Sequence, residues 1–266
     1  MDKWRLLETG AQSGAFNMTL DTVLLQHAAN GQSPPTLRFF SWQPACLSLG
    51  YMQKADDDLL TRCRLLGLDV VKRPTGGLAV LHEKDLCYSV VAPLGIGPLP
   101  VRLQEANRKI NSALQAGLRS LSIPAEVSVN IGSAGNVLAC CEAASLYEVT
   151  VRGQKIIGSA QLQKNGWLLQ HGSLTLDFKP ERLAAVLLLS DRQINGIVKK
   201  AAGLYQITGR RIQSDVLAAA LCTGFSRELG IVAEPAELTA TEKRSVTMQP
   251  VDYPIDSERG KPACMT

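Results

Sequence analysis

Residues 146–176 read LYEVTVRGQKIIGSAQLQKNGWLLQHGSLTL. Three alternating runs are separated by two turn dipeptides, Arg152-Gly153 and Asn165-Gly166. Asn-Gly between alternating runs is a strong hairpin signal, because the tight turn that matches strand twist needs a positive φ at both central residues. The stretch therefore predicts an antiparallel meander. Antiparallel pairing without strict β-α alternation makes the chain an α+β protein.

Strands are expected at TLRFFSW after the Pro34-Pro35 break, at DVVKR before Pro74, and within LAVLHEKDLCYSVVAP. Helical spacing appears in NMTLDTVLLQHAANG at residues 17–31, where Gly31 suits a C-terminal stop, and in DDDLLTRCRLLGL, which carries acids in its first turn. Residues 101–122 predict the longest helix, with Val101, Ile110, Ala113, Leu114, Leu118 and Leu121 on its buried face. After Pro180 the pattern reads as helical to the end of the fold, and SDVLAAALCTGFSRELG is its clearest case, with Ser214 as N-cap and Gly230 as stop. Three segments follow: a core over 1–180, a helical portion over 181–245 packed on it, and a polar tail over 246–266.

The 266 residues are 45% hydrophobic and 20% charged, enough for a large core and unlike a disordered chain. The net charge of +4 comes from scattered Lys and Arg rather than a basic stripe, which argues against a nucleic-acid partner and allows an acidic protein partner. MDKWRLLETG is no secretory leader, and the apolar run LAAVLLL is far short of the ~20 residues that span a bilayer. A soluble, cytoplasmic protein with no membrane partner is expected. The seven cysteines form no C-x-x-C pair, so a metal site is not expected.

Along the strand from residue 155, Lys155, Ile157, Ser159 and Gln161 are expected on one face, with Ile156, Gly158, Ala160 and Leu162 on the other. His171 and Ser173 share a face of the next strand, and hairpin pairing is expected to bring the two polar sets together. Such a stripe reads equally as a solvated outer face. KRPTGGLAVLH at 72–82 places Gly76-Gly77 in a tight loop, whose backbone N–H groups could approach a ligand while Lys72 and Arg73 neutralise an anion. The same residues also make an ordinary turn. Cys140 and Cys141 are either buried structural thiols or a nucleophile. A free thiol titrates near about 8.5, so the second role needs a cation or base such as Lys155 or His171 nearby.

Taken in order, AFNMTLD, LSLGYMQ, KRPTGGLAVLH, CCEAASLYEV, GQKIIGSAQ and LLQHGSL resemble the biotin/lipoate protein ligase and octanoyltransferase superfamily, over roughly residues 4–178. A weaker match surrounds FSRELGIVAEPAELTATE. Within that superfamily the chain looks most like the cysteine-dependent octanoyl-carrier-protein:protein octanoyltransferases. Register on their motif puts the nucleophile at Cys140. Cys141 stands where an aromatic is usual, Ala144 where proline is often found, and Gln163 where arginine often follows GSAQ.

The resemblance implies a class II synthetase-like catalytic core: a mixed, mostly antiparallel sheet flanked by helices, with a tunnel for an octanoyl or lipoyl chain. Each desolvated methylene of that chain would contribute about 0.8 kcal/mol. The resemblance makes Cys140 and Lys155 the catalytic pair. It sets Arg73, Thr75, Gly76, Gly77, His82, Gly158, Ser159, Gln161, His171 and Gly172 on the substrate, with His171 assisting the incoming amine. The donor it implies is octanoyl acyl carrier protein, and the acceptor is a lipoyl-domain protein such as glycine cleavage H protein. No cofactor is needed. An ATP-dependent lipoate–protein ligase, which would use ATP and Mg²⁺ on the same Lys155 and TGG loop, is the nearest alternative. An amidotransferase between lipoyl domains and a non-catalytic acyl-protein binder are the others.

Overall fold

The computed structural model describes residues 2–129 and 147–249. In chain order the first elements are β1 (Asp2–Gln12), α1 (Gly14–Ala29), β2 (Thr36–Trp42), β3 (Cys46–Leu49), α2 (Asp57–Leu65), β4 (Asp69–Lys72), β5 (Val80–His82), β6 (Asp85–Pro93), α3 (Leu103–Ser120) and β7 (Ala125–Val129). The rest are β8 (Tyr147–Val151), β9 (Gln154–Lys164), β10 (Trp167–Thr175), α4 (Pro180–Leu187), α5 (Asp191–Lys200), α6 (Leu204–Thr208), α7 (Ser214–Leu229), β11 (Ile231–Pro235) and α8 (Ala240–Met248).

The meander forms as its turns dictate. Arg152 and Gly153 have φ of 51° and 76°, and Asn165 and Gly166 have 49° and 77°, the positive pairs a two-residue hairpin turn demands. β8, β9 and β10 sit inside an eight-stranded sheet of order β11-β1-β2-β6-β10-β9-β8-β7. Only β1 with β11 and β1 with β2 pair in parallel; the other neighbours are antiparallel. A second, three-stranded sheet has the order β4-β3-β5.

The two faces of the large sheet differ. Ile110, Ala113, Leu114 and Leu118 of α3, with Leu217, Leu221 and Phe225 of α7, pack on Leu37, Phe39, Tyr88, Val90, Val149, Ile157 and Leu174 to make the main core. On the opposite face α1 buries Leu20, Leu24 and Leu25 against Leu7, Val91 and Leu169. Beside α1 a smaller cluster of Met18, Phe40, Trp42, Cys46, Val71 and Cys87 joins the two sheets. A space remains between them there.

Several boundaries differ from the sequence reading. α1 starts at Gly14 because the Ser13 hydroxyl caps it by accepting from the Phe16 N–H. Val101 lies before α3 and is exposed, so it is not part of the buried face. Gln213 rather than Ser214 is the N-cap of α7, while Gly230 ends that helix in a left-handed conformation as expected.

The region after residue 180 is neither all helical nor an appendage. α7 completes the main core, and β11 pairs in parallel with β1 at the sheet edge. Residue 246 falls inside α8, which is tied to β1: Glu242 is fully buried and takes two hydrogen bonds from the Arg5 guanidinium at 2.9 and 2.7 Å, and one from Ser33. Three residues of Thr239-Ala240-Thr241 precede Glu242 in a capping box, so the acid is delivered by the helix start itself.

Candidate active site

Strand parity decides which residues can meet. β9 pairs with β10 so that Ser159 faces Gly172, Gln161 faces Gln170, Gly158 faces Ser173 and Ala160 faces His171. Ser159 and Gln161 therefore lie on the face covered by α3, and His171 and Ser173 on the other. The register against β8 then slips: Val149 pairs with Ile157, but Thr150 pairs with Lys155. One extra residue on β9 is a β-bulge, and it reverses the parity of everything before it. Lys155 consequently joins Gly158, Ala160, His171 and Ser173. The expected sharing of a face by Lys155, Ser159 and Gln161 is overturned by that single residue.

On the helix-covered side the Ser159 hydroxyl is 2.8 Å from Tyr88 Oη, Gln170 donates to Tyr88 at 2.8 Å, and Gln161 donates to Gln170 at 2.8 Å. Tyr88 and Gln170 of this network are buried, and Ser159 and Gln161 are half-buried. Burial is the main reason the Tyr88 phenol is pushed up to about 12, so it stays protonated there. Gly172 is required at this crossing, since a Cβ would come within 2.6 Å of the Gly158 carbonyl oxygen and of the Tyr88 ring.

The other face lines two adjoining cavities. One, of about 40 Å³, is bordered by Met18, Phe40, Trp42, Val80 and Cys87, with Arg73, His82, His171 and Gly172 among its polar or small residues. The second, of about 100 Å³, is more polar and is bordered by Asp85, Lys155, Thr175, Asp177 and Lys179. Val80, Gly158 and Ser173 border both. An apolar compartment opening onto a polar one is the shape needed by a ligand with a hydrocarbon end and a reactive head.

Two carboxylate–imidazole–hydroxyl chains support this space. In the first, His171 Nδ1 is 2.9 Å from Asp21 Oδ2 and His171 Nε2 is 2.7 Å from Thr75 Oγ1. Burial opposes the Asp21 charge, but Arg38 and His171 outweigh it and hold the carboxyl below its usual range. Burial also pushes His171 down, against the pull of Asp21. The imidazole is thus neutral, donates from Nδ1 to the carboxylate, and accepts at Nε2 from the Thr75 hydroxyl. Both of its nitrogens are engaged, so the role of amine-assisting base expected for His171 requires the Thr75 bond to open first. In the second chain Asp85 accepts from His82 Nδ1, and His82 Nε2 is 2.8 Å from Ser48 Oγ. Trp42 stacks on His82 with ring centroids 4.1 Å apart.

The Arg73-to-Leu78 loop is built around its arginine. Arg73 is buried and donates to the carbonyls of Ser48, Gly76 and Leu78 and to the Ser48 hydroxyl, at 2.7 to 3.2 Å. These donors organise the loop, a structural role beside the anion-neutralising one expected from sequence. Lys72 instead lies over the Tyr51 ring, 5.7 Å from its centroid. Gly77 has φ of +93°, and a Cβ at Gly50 would meet the Gly77 carbonyl oxygen at 1.9 Å, so the two glycines permit the close approach of the loop to β3.

Lys155 is buried, and its ammonium donates to Glu148 Oε1 at 2.7 Å. A solvated lysine on an outer strand is thereby excluded. Of the expected residues, the structure gathers Arg73, His82, Gly158, Ser159, His171 and Gly172 around the apolar cavity, with Lys155 bordering the polar one and Thr75 reaching the site through its bond to His171. The Ser159 hydroxyl and the Gln161 amide point to the helix-covered side, onto Tyr88 and Gln170, although Ser159 still borders the apolar cavity. Cys140 and Cys141 lie outside the described residues. Asp21, Arg38, Ser48, Asp85 and Glu148 were assigned no role from sequence. The one signal for Asp21 and Asp85 is an acid set among apolar neighbours, in TLDTVLL and KDLCYSVV. Among the described residues His82, Asp85 and Cys87 are the group whose donor atoms could share an ion, lying within 4.8 Å of one another. Burial and the adjacent Asp85 hold the Cys87 thiol protonated there.

The mixed sheet with helices on its two faces shares its fold with solved lipoate-protein ligases. Lipoate-protein ligase A bound with ATP superposes with a TM-score of 0.74 at 23% identity, covering 92% of each chain. The bipartite lipoate protein ligase of Thermoplasma acidophilum gives 0.76 at 23% identity, covering 93% of this chain and 91% of that one. The chain belongs to the family described as lipoyl protein ligase A/B catalytic domain, whose model matches residues 13–226. Among curated relatives it is 37% identical to "Octanoyltransferase LipM" of Kyrpidia tusciae, over 96% of this chain and 98% of that protein. It is 36% identical to the protein of the same name in Clostridioides difficile, over 92% and 94%.

Proposed function

We propose that the protein is an octanoyltransferase of protein lipoylation, moving an octanoyl group from the phosphopantetheine thioester of an acyl carrier protein to a lysine of a lipoyl-domain protein such as glycine cleavage H protein. The observation that carries this reading is the similarity, over nearly the full length of both chains, to relatives named octanoyltransferase. The solved neighbours are ligases, but at 23% identity they speak for the fold alone.

In this reading the apolar cavity takes the hydrocarbon chain and the carbonyl lies toward Lys155. Cys140 attacks the thioester carbonyl, the pantetheine thiol leaves with a proton, and an octanoyl-cysteine thioester forms. The buried Lys155 ammonium stabilises first the thiolate and then the oxyanion. The acceptor amine attacks that thioester, forming an amide and expelling the Cys140 thiolate, which takes the proton the amine gives up. Thioester to amide is downhill, so neither ATP nor Mg²⁺ is required.

The test is intact mass spectrometry after mixing the protein with octanoyl carrier protein, followed by addition of a lipoyl-domain protein without nucleotide. Gain of one octanoyl group, mapped to the peptide holding Cys140, and its passage to the acceptor are expected. Modification only from free octanoate with ATP and Mg²⁺ overturns the reading in favour of a ligase. Passage only from an octanoylated lipoyl domain makes the protein an amidotransferase, and binding without transfer makes it an acyl-protein binder.

A further inference from the structure

Asp21 lies on α1, Arg38 on β2, Ser89 on β6 and His171 on β10, and Thr75 lies in the loop after β4. These five elements converge on one buried chain of hydrogen bonds. Asp21 divides its two oxygens. Oδ1 accepts from Arg38 at 2.8 Å and from Ser89 at 2.9 Å, while Oδ2 accepts from His171. The chain then runs through the imidazole to the Thr75 hydroxyl and ends there. Asp21 and Arg38 are fully buried, and Thr75 and His171 nearly so.

A buried ion pair adds little to stability over well-packed apolar residues, so Arg38 and Asp21 call for a reason beyond it. The reason lies at the far end. Thr75 is the residue before Gly76-Gly77, and its backbone carbonyl accepts from the Tyr51 N–H at 2.9 Å. Its side chain is bound only in one sense: His171 must be the acceptor, because its single proton is committed to Asp21. The second chain, Asp85–His82–Ser48, ends on the neighbouring strand at a hydroxyl that also accepts from Arg73 at 2.7 Å. Arg73 in turn holds the Gly76 and Leu78 carbonyls. The loop is thus pinned from two sides, through the Thr75 hydroxyl and through Arg73 on the Ser48 hydroxyl.

We infer that Asp21 is a positioning residue for acyl transfer: by holding His171 in its Nδ1–H form it fixes the Thr75 hydroxyl, and through it the Gly76-Gly77 loop that adjoins the cavity-lining Arg73 and His171. This inference rests on the octanoyl-transfer reading. For a carboxylate that orients a metal-ligating imidazole, removal commonly costs about 10- to 100-fold, and the same orienting geometry sets the scale expected here.

Asp21→Asn tests it. The amide can keep an oxygen toward Arg38, but its NH₂ group then faces His171 Nδ1. The imidazole must become the Nε2–H form and donate to Thr75, reversing that bond. Long-range ¹H–¹⁵N spectra of the histidine rings should show His171 as Nδ1–H in the wild type and Nε2–H in the variant. The rate of octanoyl-enzyme formation at saturating donor should fall about 10- to 100-fold, with the KM for octanoyl carrier protein changed by less than about twofold. Thr75→Val should give a similar loss, Thr75→Ser should restore most of the rate, and Asp21→Asn combined with Thr75→Val should lose little more than either alone. If Asp21→Asn does not fold, the Thr75 pair decides: equal rates for Thr75→Val and wild type overturn the inference. So does a full rate in Asp21→Asn with the ring reversed, or an additive double variant. Wild-type protein that transfers no octanoyl group overturns the transferase reading and the catalytic consequence together, while the ring spectra still show whether Asp21 sets the imidazole.

Discussion

Lys155 and Glu148 form a buried ion pair at 2.7 Å across the β8–β9 hairpin, directly beside the bulge that turns Lys155 toward the cavity. The carboxylate fixes the place of the ammonium, which is what a stationary oxyanion donor requires. Lys155→Ala should slow octanoyl transfer by at least about 10²-fold, the usual scale for one such donor. Lys155→Arg should also lose most activity, because a planar fork replaces a compact donor. Removing the lysine alone strands a buried carboxylate, so Lys155→Ala should be less stable than Lys155→Ala combined with Glu148→Gln. Transfer rates and thermal melts of the three variants check this; near-normal transfer by Lys155→Ala would end the proposed mechanism.

Cys140 and Cys141 are adjacent, and motif register alone separates them. Cys140→Ser and Cys140→Ala should form no octanoyl-enzyme and transfer nothing while remaining folded. Cys141→Ala should keep most activity. Peptide mapping of the acyl adduct reads the outcome, and an adduct on Cys141 moves the nucleophile by one residue.

Gly50 and Gly77 approach so closely that a single methyl has no room. Gly50→Ala should displace the Thr75–Gly77 loop. Acyl-enzyme formation should drop by more than about tenfold, because small displacements of positioning groups are costly to rate. Retained activity with an unchanged melting temperature would show that the loop yields freely.

The Arg5–Glu242 pair links β1 to α8. Burial alone would raise the Glu242 pKa, but Arg5, the Thr239 N–H and Ser33 hold it down to about 2, against an ordinary value of 4.5. A carboxyl depressed in the folded state binds its proton more readily when unfolded. Its stabilisation is therefore fully present above about pH 4.5 and is lost as pH falls through about 2. Denaturant unfolding across that window should show stability declining with acid, and Glu242→Gln should flatten the decline. An identical slope in both proteins would remove Glu242 as its source.

The main sheet's centre is legible in sequence because its signals are local. Arg152-Gly153 and Asn165-Gly166 demand positive φ whatever surrounds them, and alternation in the runs between them sets strands of the right length. The ordered motifs carry the family for the same reason: TGG and GSAQ are short, and their glycines answer local constraints. β1, β3, β7 and β11 were not legible. β11 is five residues with a proline at its end, and it becomes a strand only because β1 offers it an edge. The reading of residues after 180 as helical failed on that point.

What the sequence determined by itself was the α+β class, the meander, the family and a polar minority of the cavity's residues. What tertiary structure alone decided was which of those residues face one another. Side-chain parity along β9 follows a period of two only while pairing is regular, and the bulge between Lys155 and Ile157 is set by contact with Val149 and Thr150, not by β9 itself. It sent Lys155 to the cavity and left the side chains of Ser159 and Gln161, half-buried, on the helix-covered face. Asp21 and His171 stand 150 residues apart, and their hydrogen bond exists because α1 packs apolar residues onto the sheet at that spot. A buried charge gains its meaning from its partners, and partners that distant are chosen by packing rather than by local sequence.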